Sequence, residues 1–260
     1  LTRRIVDLSK ARILVTNDDG VNARGLEILV EVAHGLSDDV WIVAPEAEQS
    51  GAGHSLTLRQ PLRMTKRGER RYSVDGTPTD CVLMAVGHLL KDRKPDLTLS
   101  GINRGGNLGE DLTYSGTVAA AMEGTLTGVP SIALSQVYED GTRPDWETAR
   151  RLAPDIVRRL VEAGWPEGVL INVNFPAGGP AAVKGSRVVG LGRRKVGDHL
   201  LERRDPRGVP YYWIGSLRNE EPNRPETDLA AVMDGYTAIT PVHLDLTDRP
   251  TVRTLKAVFD

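Results

Sequence analysis

The sequence has a single cysteine, Cys81, among 260 residues. That excludes an internal disulfide framework and fits a reducing compartment. Cys81 falls in an apolar, helix-patterned run, where a thiol serves as a small buried hydrophobe rather than a nucleophile. Aromatic residues make up only 5% of the chain, so no aromatic clamp for a planar ligand declares itself. No apolar run reaches the ~20 residues that a bilayer demands. Residues 1–10, with Arg3, Arg4, Asp7 and Lys10, lack the apolar centre of a secretory signal and read as an extension. Cytoplasm is therefore the expected location. The net charge of −2 gives no whole-chain attraction to nucleic acid or to a membrane. The five histidines (34, 54, 88, 199 and 243) are scattered, which excludes a structural zinc site built on Cys/His spacing. Three signatures are also missing: the dinucleotide G-x-G-x-x-G, the P-loop, and the G-x-S-x-G serine elbow.

What is present is organised around Ile13-Leu14-Val15-Thr16-Asn17-Asp18-Asp19-Gly20. Residues 13–15 read as a buried strand, and Leu26, Leu29, Val30, Ala33 and Leu36 share one face of a helix. A second strand at 40–44 completes a right-handed βαβ unit. Ligands of open α/β sheets bind beyond the strand carboxyl ends, which is where Asp18 and Asp19 stand. Two adjacent, partly desolvated carboxylates favour a cation between them. The competing reading makes Asp18 a helix cap and Asp19 a solvated turn residue.

The loop 46–54 leaves the second strand on the same edge and carries Ser50-Gly51 and His54, the latter read as solvated. Residues 56–74 read as a hairpin-like excursion. Thr77-Pro78-Thr79-Asp80 then opens a helix to about residue 90, with Asp80 as a helix-start carboxylate. A third strand, 96–100, runs into the Gly/Asn-rich loop 101–109, which contains Asn103 and Asn107. Ser115-Gly116-Thr117 opens a small-residue helix, and its hydroxyls, free N–H groups and dipole suit an anion. Tyr114, beside it, reads as a packing residue. Further strands are expected at 131–134, 169–173, 211–214 and 236–241, and helices at 146–163 and 251–259. Residues 176–180 read as a linker and 217–228 as a polar loop. Arg193-Arg194-Lys195 and Arg203-Arg204 read as solvated or interfacial.

Asp18, Asp19, Ser50 and Asn103 each lie just beyond an expected core strand, and all four offer oxygen. A hard oxygen set suits one divalent ion such as Mg²⁺ or Mn²⁺. The two carboxylates offset the dication, and the neutral Ser and Asn leave room for water and an anionic substrate. Beside a phosphate cradle this implies phosphoryl chemistry. An aspartyl-phosphate route is disfavoured because Asn17 stands where D-x-D needs its nucleophile.

The ordered series Asn17-Asp18-Asp19-Gly20, Ser50-Gly51, Gly76-Thr77-Pro78-Thr79-Asp80-Cys81, Ser100-Gly101-Ile102-Asn103, Asn107-Leu108-Gly109 and Tyr114-Ser115-Gly116-Thr117-Val118 resembles the SurE family of stationary-phase survival proteins. Pro241-Val242-His243-Leu244-Asp245-Leu246 extends the likeness to nearly the whole chain. The resemblance implies an α/β, Rossmann-like three-layer core with a mostly parallel sheet, spanning 11–190. It implies a C-terminal extension, 191–260, with a hairpin, a returning strand and a terminal helix used in oligomerisation to a homodimer or homotetramer. It also implies metal-dependent hydrolysis of nucleoside 5′- and 3′-monophosphates and of short polyphosphate. On this likeness the metal ligands are Asp18, Asp19, Ser50 and Asn103, with Asp18 or Asp19 as proton acceptor, and the ion is Mg²⁺, Mn²⁺ or Co²⁺. The phosphate contacts are Asn107, Ser115, Gly116 and Thr117. A nucleotide-sensing module without turnover, or a metal-dependent nucleotide-sugar transferase, are the alternative functions; no membrane or stable nucleic-acid partner is expected.

Overall fold

A computed structural model describes residues 5, 7–139, 141–196, 200–214, 218–220 and 224–259. Expectations on residues 1–4, 6, 199, 217 and 221–223 lie outside them. The central sheet uses β1 (Arg12–Thr16), β2 (Asp39–Pro45), β3 (Met64–Gly68), β4 (Arg71–Val74), β5 (Leu97–Arg104), β6 (Ser131–Gln136), β7 (Val169–Phe175) and β8 (Ser186–Val188). Two small ribbons follow: β9 (Arg194–Val196) with β12 (Arg218–Glu220), and β10 (Leu200–Arg204) with β11 (Pro210–Ile214). The last strand, β13 (Thr237–His243), returns to the main sheet. Its order is β3-β4-β2-β1-β5-β6-β7-β13-β8. Only β3 on β4 and β13 on β7 are antiparallel neighbours.

The helices are α1 (Arg24–His34), α2 (Pro78–Met84), α3 (Gly116–Leu126), α4 (Trp146–Ala163), α5 (Asp228–Met233) and α6 (Arg249–Phe259). Alternation along the strands explains the three layers. Ile13 and Val15 face the cluster shared with α1 and α4, while Leu14 between them faces the cluster of α2 and Ala120 on α3. Both faces are covered, as a parallel sheet requires. The parallel strands β1, β2 and β5 therefore deliver residues 17–20, 46–54 and 101–107 to one edge.

Several elements differ from their sequence reading. β5 continues past Ser100 to Arg104, because Gly101 takes a φ of +135° and the register against β6 slips between Ser100 and Asn103. Such a bulge re-aims the residues after it. The 56–74 excursion is strand only from Met64, and β4 pairs in parallel with β2. Within the expected 217–228 loop, Thr227 caps α5 through its hydroxyl, which accepts from the Ala230 N–H. The buried stripe of α4 runs through Ala149, Ala153, Ile156, Val157 and Val161, with Leu152 and Leu160 at its margin. Asp80 closes a capping box with Thr77, as its spacing predicts, and Cys81 is fully buried.

One contact sets how closely α1 approaches the sheet. A Cβ on Gly25 would collide with the Ile102 carbonyl oxygen. Gly25→Ala should therefore force α1 off β5 and lower stability by about 2 kcal/mol or more, measured by chemical denaturation.

Candidate active site

Asp18 follows β1 and is 4% exposed. It turns toward the first turn of α3. The Thr117 hydroxyl donates to Asp18 Oδ1, and a Cβ on Gly116 would lie 2.7 Å from the Asp18 Cβ. Only glycine allows that approach. Burial, with neighbouring Asp19 adding to it, pushes the Asp18 carboxyl up to about 6, against the opposing Thr117 hydrogen bond. No cationic side chain pairs with Asp18 among the described residues.

Asp19 is half-buried and faces the other way. Its Oδ2 accepts from the Arg104 backbone N–H at 3.2 Å, which places it against the end of β5, next to Asn103. Burial raises its pKa as well, the Glu48 charge adds to that, and Arg104 opposes it. The loop after β2 joins the group through its backbone: the Gln49 N–H donates to the Asp18 carbonyl at 2.8 Å. Ser50, the next residue, is exposed, and its hydroxyl donates to Glu48 Oε1 at 2.8 Å. Asn103 spends Nδ2 on the Gly105 carbonyl at 2.9 Å, leaving Oδ1 as its available atom. The residues next to Ser50 and Asn103, Gln49 and Arg104, thus bond to Asp18 and Asp19 at one edge, while the Ser50 hydroxyl is turned to Glu48. The capping alternative for Asp18 does not hold. The N-cap of α1 is Ala23, without a side-chain cap.

At the tip of α3, the Ser115 hydroxyl accepts from the Val118 N–H at 3.1 Å and retains its own proton as a donor. The Thr117 hydroxyl proton is committed to Asp18. Asn107 is held as part of a buried amide cluster. Its N–H donates to Asn174 Oδ1 at 2.8 Å, its Nδ2 to the Ser135 hydroxyl at 2.9 Å, and its carbonyl accepts from Asn172 and Asn174.

The donor set fits a hard divalent ion. Two sequence-adjacent carboxylates stand here, the buried one without a cationic side chain paired to it among the described residues, and the neighbouring Asn17 Oδ1 is buried with no hydrogen-bond donor. Asp18, Asp19, Ser50 and Asn103 are the residues that could hold it.

The sequence reading missed the supports of this edge. Asn172 and Asn174, two polar residues in an otherwise apolar strand, were its visible signal. Arg194, read as solvated or interfacial, is 6% exposed and ion-paired with the 8%-exposed Asp111, with its Nε 2.9 Å from Oδ2. A charge paired this way is taken out of water because a partner waits at its position. Asp228, fully buried, accepts from Gly109 at 2.8 Å, Gly192 at 2.7 Å and Leu229 at 2.9 Å. These bonds tie the C-terminal excursion to the loop that carries Asn107. His54, read as solvated, has Nε2 3.0 Å from Glu123 Oε2 on α3. Tyr114, between the turn 109–113 and α3, stands 53% exposed instead of packing.

A mostly parallel sheet covered by helices on both faces, with two carboxylates at its strand ends, defines a Rossmann-like α/β protein. The family model of the survival protein SurE matches residues 13–198, and the chain belongs to the SurE family. It is 56% identical to the 5′-nucleotidase SurE of Paramagnetospirillum magneticum over 98% of both chains. It is 57% identical to the 5′-nucleotidase SurE of Rhodospirillum rubrum, again over 98% of each. The crystal structure of the SurE protein from Aquifex aeolicus superposes with a TM-score of 0.83 at 41% identity, covering 96% of this chain and 100% of that one.

The Asp18 carboxyl has a consequence for stability. Its folded pKa lies above the 3.8 of the free group, so the fold disfavours its ionisation. The penalty is absent below pH 3.8, grows as pH rises through about 6, and is then constant. In chelator, Asp18→Asn, which keeps an acceptor for Thr117, should stabilise the protein by roughly 3 kcal/mol above pH 7 and by almost nothing near pH 3.5. Denaturant titrations at the two pH values measure the difference. Asp228→Ala strips the acceptor from the buried Gly109 and Leu229 N–H groups and the half-buried Gly192 N–H, and should cost about 2–4 kcal/mol in the same assay.

Proposed function

We propose that the chain is a 5′-nucleotidase, hydrolysing nucleoside 5′-monophosphates to nucleoside and phosphate, and also nucleoside 3′-monophosphates and short polyphosphate. The observation that carries this is the contact of buried Asp18 with the Gly116–Thr117 tip of α3, a helix start whose hydroxyls and N–H groups suit a phosphate. The names of the relatives agree with it. Asp18, Asp19, Ser50 and Asn103 hold one Mg²⁺, Mn²⁺ or Co²⁺ per subunit. Such an ion polarises a phosphoryl oxygen and acidifies water when bound.

The backbone N–H groups of Gly116 and Thr117 and the Ser115 proton grip the non-bridging oxygens, aided by the helix dipole. Asn107 orients the phosphate from its amide cluster. Thr117 fixes the Asp18 carboxyl through its hydroxyl. Asp18 or Asp19 accepts the proton of the attacking water as the P–O bond to the leaving group breaks. The lone buried cysteine is consistent with the cytoplasm. No helix among the described residues is long and apolar enough to cross a membrane.

The C-terminal extension mediates a homodimer or homotetramer. Tyr212, Trp213 and Ile214 on β11, and Val258 and Phe259 on α6, are apolar residues left exposed by the described residues.

The test is phosphate release from a panel of mononucleotides with each ion, with and without chelator. Activity should vanish in EDTA and return on adding metal. Asp19→Asn should lose at least a hundredfold in kcat with an unchanged far-UV spectrum. Full turnover in EDTA would end this reading, and nucleotide binding without phosphate release would make the chain a sensing module.

A further inference from the structure

A cleft of 520 Å³ opens on the Asp19 side of the site, away from α3. It is within the size range of small-molecule sites. Its walls come from the first turn of α1, the end of β5 and the loop between β6 and α4. Arg24, Arg104 and Arg143 all line it, with Trp146 as an apolar wall. Arg104 also lies 5.8 Å over the Tyr138 ring.

None of the three arginines forms an ion pair with a carboxylate of the described residues. Arg12, Arg67, Arg71 and Arg150 each do. Among the described residues that line the cleft, the negative groups are Asp19, already committed to the candidate centre, and Glu48. Three guanidinium groups facing one uncommitted carboxylate leave a surplus of positive charge in a concave space. Guanidinium groups match phosphate oxygens in charge and in fork geometry.

We infer that this cleft takes a second phosphate group of the substrate, so that nucleotides phosphorylated at two positions, such as a nucleoside 3′,5′-bisphosphate, are preferred over monophosphates. The inference rests on the phosphomonoesterase reading for the phosphate at the α3 tip. The second phosphate then lies on the opposite flank of the carboxylate pair, with the sugar between them. Trp146 offers apolar surface to the nucleoside. Arg24 and Arg143 are exposed, so replacing them leaves the core untouched.

The experiment compares the wild-type chain with Arg24→Gln/Arg143→Gln, using adenosine 3′,5′-bisphosphate and AMP. In steady-state turnover the double variant should lose at least tenfold more kcat/KM for the bisphosphate than for AMP, through KM. In calorimetry with EDTA present, the wild type should bind the bisphosphate at least tenfold more tightly than the variant does. Equal losses for both nucleotides would overturn the inference, since the cleft would then serve the nucleoside. Indistinguishable or undetectable binding of the bisphosphate by the two proteins would overturn it as well. Absence of turnover with every ion ends the hydrolase reading alone, because the calorimetric comparison still decides the cleft.

Discussion

Burying the Asp18 carboxylate beside Asp19 opposes folding, and the surrounding edge is built to tolerate it. Among the described residues no guanidinium or ammonium group pairs with Asp18. The chain supplies a hydroxyl from Thr117 and the close backbone of Gly116 instead. One neutral hydrogen bond does not offset the desolvation of a charge, so the carboxyl titrates near 6. A structural carboxylate would be paired, as Asp39 is with Arg12 and Arg70. The unpaired arrangement keeps electrostatic attraction in reserve for a cation that the fold itself does not provide.

That constraint explains why the three loops meet as they do. Gly116 admits the helix tip to Asp18. Gly101 lets β5 bulge and carry Asn103 and Arg104 up to Asp19. Gly25 lets α1 lie against the bulge itself. Each of these glycines leaves out a Cβ where a neighbour comes close: a backbone carbonyl at Gly25 and Gly101, the Asp18 side chain at Gly116. The site edge is therefore shaped by these three points as much as by the strands.

Local pattern made much of this legible. The β-branched run 13–15 before Asn-Asp-Asp-Gly, the Thr-Pro-Thr-Asp capping box and the Ser-Gly-Thr helix start are each encoded within a few residues, and the structure has them where their spacing predicts. What stayed hidden depends on partners far apart in sequence. Arg194 sits in a basic triplet, and only the fold reveals Asp111 waiting 83 residues earlier. Asp228 reads as the end of a polar loop, yet it accepts from Gly109, 119 residues away. His54 on its polar loop gave no hint of Glu123 on α3. The extension of β5 was missed because Gly and Asn in sequence signal a loop, whereas here the glycine is a bulge that lets the strand continue.

These long-range bonds also alter what the C-terminal excursion is. A segment that served only to join subunits would have no reason to bury Arg194 and Asp228 under the loop of Asn107. Breaking a buried ion pair from one side leaves a desolvated charge and costs several kcal/mol, so the loop and the excursion order together. The loop 105–109 gains from this: Gly106 and Gly109 receive contacts from Arg194 and Asp228, while Asn172 and Asn174 fix the carbonyl of Asn107 from the sheet side. The Asn107 amide is thus set between the core and the excursion. The carboxylates of Asp111 and Asp228 and the Arg194 guanidinium thus connect residues 190–194 to the loop that carries Asn107.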